Sequence, residues 1–304
     1  GLEHERHHGL NLARLGVLHA ELGDSARAAA NLRRAMELEP RDYRFAVALG
    51  DLLEREGDAA GAIEAYAESL FADVEIVDSA FWDATEFRRA FRPAVLRRAW
   101  EIAGRASEEG AAYRRGKLAL DGRDYDSAVT LLQAVGPLYV AEALLSAGRL
   151  DEAEGLFTQV LEQRPQDVAY IGRARIHLAR GELDRAEQDL VKALAIRQDT
   201  VFGQPMWQAH FYLGQVYERR GDPRAAEQLA KVTLPERPLE DFELGYDLSV
   251  WLHAPLFVPE LALLERFAIK TTTPLWVQAR AAKARAVSQL RPAASPSPQA
   301  TPPQ

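Results

Sequence analysis

A fixed spacing of 34 residues is the feature of this sequence that most restricts its fold. Four small or apolar residues recur 34 positions later with similar side chains: Gly16, Gly23, Ala28 and Leu32 return as Gly50, Gly57, Ala62 and Tyr66. A period of this length is typical of a solenoid, in which each unit buries one apolar side against its neighbours. The sequence therefore predicts a stack of paired helices.

Small residues and turn residues divide each unit into two helices. The first helix of a unit carries a glycine such as Gly16 or Gly50, which allows a second helix to approach closely. A second glycine, such as Gly23 or Gly57, follows where a left-handed residue ends the helix at least cost. The aspartates after these turns are expected to cap the second helices, and they are Asp24, Asp58 and Asp222.

The repeats resemble the tetratricopeptide family, whose pattern is W-x2-L-G-x2-Y, then A-x3-F, then a late proline. The first unit matches with Leu12, Leu15, Gly16 and His19, and its second helix ends at Pro40. About six units resemble this pattern. The resemblance implies an all-α fold, a right-handed α-solenoid with one insertion and a helical C-terminal cap. It also implies a non-catalytic scaffold for protein–protein interaction.

The departures from the pattern define the predicted domain organisation. We expect six segments: an N-terminal extension at 1–8, two repeats at 9–73, an insertion at 74–108, four repeat-like units at 109–235, an irregular helical cap at 236–291 and a flexible proline-rich tail at 292–304. The insertion is rich in aromatic residues and arginine. Its aromatics are expected to pack onto the solenoid, although a partner-gripping surface is the alternative. Pro93 predicts a helix that starts there and runs to Ala103.

Composition excludes several classes of function. The formal net charge is −8, which argues against a nucleic-acid partner because such scaffolds carry a basic surface. There is no cysteine, so disulfides and thiol chemistry are excluded. No apolar stretch is long enough to insert in a membrane. The chain begins with Gly1, from which we expect that a signal or an upstream domain was removed, or that a cloning residue remains.

One catalytic motif occurs at the N-terminus. His4, Glu5 and His8 form a literal H-E-x-x-H sequence, whose histidines would lie one helical turn apart and could hold zinc. A protease also needs a third ligand and a cleft, so we interpret the motif as a solvated helix end. No other catalytic template occurs. We predict no catalytic, metal or cofactor site.

The family resemblance implies a concave groove lined by the first helix of each unit. Ten residues are the groove candidates: Arg44, Val47, Asp51, Tyr113, Lys117, Glu142, Ile171, Arg175, Phe211 and Gln215. Some family members grip a peptide carboxylate with lysine and asparagine in the first units. Ala13 and Val17 stand at the first-unit positions here, so this mode of binding is not expected.

The apolar ends of the chain suggest association with copies of itself as the leading function. Leu12, Leu15 and Leu22 are expected to face the partner helix of the first helix. Leu10, Ala13 and Val17 lie off that side, and they are the self-association candidates at this end. The candidates at the other end are Trp251, Leu256 and Phe257. Contacts that do not close would give filaments or tubes. Coverage of the first helix by residues 1–8 or an upstream domain is the alternative.

A further resemblance concerns the insertion. The stretch Phe81-Trp-Asp-Ala-Thr-Glu-Phe-Arg-Arg-Ala, with the apolar segment after the last repeat, resembles soluble repeat tails of bacterial membrane proteins of the O-antigen ligase type. This resemblance implies an extracytoplasmic or extracellular accessory domain whose catalytic part lies upstream, and a cytoplasmic location is the alternative. The three functions to compare are self-association, client-peptide binding in the groove, and this accessory role.

Overall fold

The computed structural model describes residues 2–197, 207–232 and 274–290, and it describes side chains from residue 9 onward. These residues form fourteen α-helices and no β-strand. The helices are α1 (Leu2–Glu21), α2 (Ser25–Leu38), α3 (Tyr43–Arg55), α4 (Ala59–Ala72), α5 (Glu86–Ala103), α6 (Glu108–Asp121), α7 (Tyr125–Leu132), α8 (Pro137–Ser146), α9 (Leu150–Gln163), α10 (Asp167–Arg180), α11 (Leu183–Arg197), α12 (Trp207–Arg220), α13 (Arg224–Ala230) and α14 (Pro274–Leu290). The predicted all-α class is confirmed.

Twelve of these helices pack as six successive hairpins: α1–α2, α3–α4, α6–α7, α8–α9, α10–α11 and α12–α13. The helices fall into two compact units, with α1–α9 in the first and α10–α13 in the second. In the first unit, each hairpin packs on the next, and α5 lies between α4 and α6. The α-solenoid architecture is therefore confirmed, whereas its right-handed superhelix stays a prediction.

Glycines in the first helices allow the close packing of each hairpin. A Cβ atom on Gly50 would lie 2.4 Å from the Tyr66 ring, and one on Gly116 would lie 2.6 Å from the Leu132 side chain. Gly16 and Gly214 meet leucines in the same way. These contacts explain the glycine of the repeat, because any larger residue would push the second helix away.

The turns inside the hairpins follow the predicted chemistry. Five glycines there have positive φ angles between 66° and 79°: Gly23, Gly57, Gly148, Gly181 and Gly221. In the third hairpin Arg123 takes this left-handed position with φ of 58°, which the sequence pattern did not reveal. Asp24 and Asp58 cap the next helices by accepting backbone N–H groups, as predicted.

The insertion forms two short 3₁₀ helices, Val74–Ile76 and Ala80–Asp83, followed by α5. The start predicted for α5 is wrong, because the helix begins at Glu86 and Pro93 lies inside it. Thr85 caps the earlier start, since its Oγ1 accepts the Arg88 N–H at 3.1 Å. A strong cap therefore outweighed the usual preference of proline for a first turn.

Two parts of the predicted organisation lie outside the described residues. These are most of the cap, which includes Trp251, Leu256 and Phe257, and the proline-rich tail. The end of the cap is described as α14, which buries Ala279, Ala282 and Ala286 along one side. Among the helices that the structure describes, none has the length and apolar character needed to cross a membrane.

Candidate functional site

Four of the ten groove candidates are buried. Arg44, Val47, Ile171 and Phe211 have exposed fractions of 4%, 0%, 2% and 2%. The prediction that they line an open groove is therefore corrected. The resemblance identified their positions on the first helices, but it could not show which of those positions other parts of the chain cover.

Arg44 shows how a charged residue is accommodated in this interior. Its Nε and Nη2 atoms donate to the two carboxylate oxygens of Asp42, at 2.8 and 2.5 Å. Both side chains are at most 4% exposed. Buried charges need a partner of this kind, so the pair is structural and does not present a charge to a peptide.

Asp51, a fifth candidate, is bound by the insertion. Arg88 at the start of α5 donates from Nη2 to Asp51 Oδ1 at 2.8 Å and from Nε to Glu54 Oε2 at 3.0 Å. The Arg88 guanidinium lies 3.8 Å from the centre of the Phe81 ring and is 7% exposed. The Tyr66 hydroxyl donates to Glu54 at 2.6 Å, and burial raises the pKa of this phenol. The insertion thus binds the carboxylates of Asp51 and Glu54 on α3.

Aromatic packing holds the rest of the insertion. Trp82 is 2% exposed, its indole N–H donates to the Ile76 carbonyl at 2.8 Å, and its ring packs edge-on against Tyr66 and Phe81. Arg98 pairs with Glu64 of α4 and Arg92 with Asp121 of α6. The packing interpretation of this segment is therefore confirmed.

Two further candidates, Tyr113 and Lys117, keep accessible surface in the first unit. Lys117 Nζ lies 3.0 Å from Glu75 Oε2, and the Tyr113 hydroxyl donates to the same carboxylate. Burial, with the Glu75 charge, raises the pKa of Tyr113. Tyr139 of α8, which the sequence did not single out, packs edge-on on Tyr113 with ring centres 5.4 Å apart and is 41% exposed. We call Tyr113, Lys117 and Tyr139 the tyrosine surface.

Glu142 also lies on α8 and is half-buried. The last two candidates are in the second unit. Arg175 of α10 stacks near the Tyr212 ring of α12, with the guanidinium carbon 5.9 Å from the ring centre, and Gln215 is half-buried on α12. The structure therefore brings together only some of the groove candidates.

The three self-association candidates on α1 face the core and not the solvent. Ala13 and Val17 are 0% and 1% exposed and belong to the core shared with α2 and α3, and Leu10 packs against that core. The prediction that these three form an uncovered face is corrected. The helical period assigns them to a common side, but the sequence does not state which side faces the solvent.

The uncovered apolar side of α1 carries leucines instead. Leu15, Leu18 and Leu22 are 47%, 39% and 80% exposed, and their spacing of three and four residues places them along one face. We call these three residues the outer stripe. The prediction that Leu15 and Leu22 face α2 is therefore corrected. Hydrophobicity alone could not identify the exposed side of α1, whereas comparison with the same positions in the next repeat could.

The corresponding positions of the next repeat show how far such leucines are buried when another helix packs beside them. Leu49 and Leu52 of α3 stand 34 residues after Leu15 and Leu18, and they are 4% and 2% exposed. They are buried in the core that α3 shares with its neighbours. One of these neighbours is α2, the second helix of the preceding hairpin. Two positions of the outer stripe are therefore covered in the next repeat, whereas Glu56, at the position of Leu22, is exposed.

Comparison with known proteins found matches to two family models and to a solved structure. Family models described as tetratricopeptide repeat match residues 14–73 and 144–201. A crystal structure of a tetratricopeptide repeat protein from Parabacteroides merdae ATCC 43184 is 19% identical, with a TM-score of 0.41, over 85% of this chain and 99% of that chain. No curated protein matches the sequence. The chain therefore contains tetratricopeptide repeats at these residues, and such repeats are typical of protein-interaction scaffolds.

Proposed function

We propose that this protein is a non-catalytic scaffold that associates with copies of itself, and that the outer stripe forms one side of the contact. The observation that supports this proposal is the exposure of Leu15 and Leu18 at positions whose counterparts in the next repeat, Leu49 and Leu52, are buried, with Leu22 exposed beside them. Full burial of an exposed leucine side chain contributes about 1.5–3 kcal/mol, and covering these partly exposed leucines would contribute a part of that amount for each.

We expect Leu18→Glu to abolish self-association, because the charge would have to be buried at the centre of the stripe. Val191→Glu is the matched control, since Val191 is a 50% exposed apolar residue on α11. The measurement is size exclusion with light scattering over a concentration series. A wild-type chain that stays at its 33.8 kDa monomer mass at every concentration would contradict the proposal.

A second candidate function is binding of a client peptide at the tyrosine surface. The observation that favours it is Tyr139, an aromatic residue 41% exposed that packs on Tyr113, whose hydroxyl donates to the Glu75 carboxylate that also pairs with Lys117. Exposed tyrosines that pack on one another are common anchors in binding surfaces, because they contribute a large contact area at little entropic cost.

For this function we expect Tyr139→Ala to weaken peptide binding at least tenfold while the unfolding midpoint changes little. Peptides selected from a phage-displayed random library would supply the probe, and fluorescence anisotropy would give the affinity. Tyr125→Ala is a control for loss of a tyrosine outside this surface. Equal binding by the Tyr139 variant and the wild type would exclude the tyrosine surface as the site.

The accessory role in an O-antigen ligase-like enzyme is supported only by the sequence resemblance of the insertion. It would place the domain outside the cytoplasm. Binding of lipid-linked sugars by the purified chain would support it, and absence of binding under conditions where the scaffold associates would count against it.

A further inference from the structure

The C-terminal end of this acidic chain is basic. Residues 266–304 contain six arginine and lysine residues and no aspartate or glutamate, so this segment has a formal charge of +6. Because the whole chain has a formal net charge of −8, residues 1–265 carry −14. Such a division of charge is typical of chains that meet an anionic surface or polymer with one end.

Helix α14 presents three of these six cations within the described residues. Arg280 and Arg285 are exposed, and Lys283 is half-buried. The helix contains no acidic residue, so its cations lack the pairs within one helix that bind other arginines, such as the pair of Arg149 with Glu152. In the described part of the chain, no carboxylate pairs with any cation of α14. Its positive charge is therefore available to a partner.

The exposed side of α14 combines these cations with residues of low polarity. Four exposed residues follow the helical period, at intervals of four, three and four positions: Val277, Ala281, Ala284 and Ser288. We call these four residues the outer row. Arg280 and Arg285 lie on opposite flanks of the outer row, because the helix completes a turn every 3.6 residues. The buried alanines of α14 lie on its other side.

We propose that α14 binds the surface of an anionic lipid bilayer, with Arg280 and Arg285 at the lipid phosphates and the outer row against the headgroup region. This inference goes beyond the scaffold function and does not rest on it. Arginines in such a position keep their apolar stems along the bilayer and their guanidinium groups at the phosphates. The six cations of the C-terminal segment lie within the range of about four to eight that is typical of sequences attracted to anionic lipids.

The outer row favours a bilayer over other anionic partners. Nucleic acids are bound by polar side chains and by aromatic rings that stack on bases, whereas the outer row has no aromatic residue and a single hydroxyl group. Valine and alanine between cations instead fit a surface that has apolar groups behind a layer of charge. The charge of −14 on residues 1–265 is repelled by the same bilayer, which confines the contact to the C-terminal end.

A double charge reversal removes the proposed contact. The variant is Arg280→Glu with Arg285→Glu, and the matched control is Arg33→Glu with Arg97→Glu, which changes the net charge equally at exposed arginines of α2 and α5. Vesicles of phosphatidylcholine with about one third phosphatidylserine are the probe, and cosedimentation gives the affinity. We expect the α14 variant to bind at least tenfold more weakly than the wild type, and the control less than threefold more weakly. Circular dichroism establishes that both variants are folded.

Two further measurements test the nature of the contact. Binding at about 0.1 M salt should be largely lost at about 0.5 M, since salt screens the attraction, and vesicles of phosphatidylcholine alone should not bind. Ser288→Trp should strengthen binding to the anionic vesicles severalfold, because tryptophan favours the interface of a bilayer. An unchanged affinity of this variant would show that the outer row does not face the bilayer, which overturns the proposed arrangement.

Three other results would overturn the inference as a whole. The first is a wild-type chain that does not bind the anionic vesicles at low salt. The second is an equal loss of binding in the two double variants, which would show that only the net charge of the chain matters. The third is binding to duplex DNA or to polyglutamate that is at least as tight as vesicle binding and is lost in the α14 variant, which would assign α14 to a nucleic acid or an acidic protein.

Discussion

Replacement of Arg88 with alanine is expected to lower the free energy of unfolding by about 3 kcal/mol, the low end of the range for breaking a buried ion pair. The guanidinium is 7% exposed and contacts Asp51, Glu54 and the Tyr66 hydroxyl. Its removal leaves two carboxylates facing each other without a shared cation. Asp51 keeps a contact with Arg55, with 3.3 Å between Nη2 and Oδ2, which moderates the loss.

Urea unfolding followed by circular dichroism measures this effect. Arg97→Ala is the matched control, because Arg97 is an exposed arginine on the same helix and should change stability by no more than about 0.5 kcal/mol. Lysine at position 88 should recover only part of the loss, since it cannot donate to both carboxylates with the geometry of a guanidinium. An Arg88→Ala chain as stable as the Arg97 control would show that the insertion is not held by this network.

The same substitution at two glycines is expected to have opposite effects. Gly50→Ala would place a Cβ atom 2.4 Å from the ring of Tyr66. That ring cannot move away, because it is fully buried against Phe81 and Trp82. We expect a loss of about 2–3 kcal/mol in the free energy of unfolding, as for other overpacked cores.

Gly155→Ala should instead raise the free energy of unfolding by about 0.5–1 kcal/mol. The added methyl group meets open space, and alanine has the higher helix propensity. Differential scanning calorimetry of the two variants beside the wild type gives both signs in one experiment. A destabilising effect at position 155 would show that the open space beside α9 is not accessible to a side chain.

The repeat made the hairpins and their turns predictable. The spacing of Gly16 and Gly50 identified where second helices approach, and Gly23 and Gly57 identified the left-handed turns, because these positions tolerate few alternatives. The third turn was harder, since Arg123 adopts the left-handed conformation without the usual glycine. Local sequence therefore determines a hairpin when its backbone demands a special residue.

The surfaces were less predictable, because exposure depends on neighbours that are distant in sequence. Val47 and Phe211 occupy groove positions in the family pattern, yet both are buried. The repeat position of Asp51 predicts an accessible carboxylate, but Arg88, 37 residues later in the sequence, donates a hydrogen bond to it. Leu15 and Leu22 of the outer stripe were expected to face α2 for a related reason, since an apolar periodicity identifies a face of a helix without identifying what covers it.

The position of α5 has a consequence for how the first unit melts. In a linear array, cooperativity passes only between adjacent layers. Among the described helices, α5 is the layer that joins the hairpins α1–α4 to the hairpins α6–α9, through its contacts with α4 and α6. A weakened α5 would uncouple the two blocks, so that a single transition on heating divides into two. We therefore expect the insertion, together with the contact of Arg114 on α6 with the Phe71 carbonyl of α4, to couple the unfolding of the two blocks.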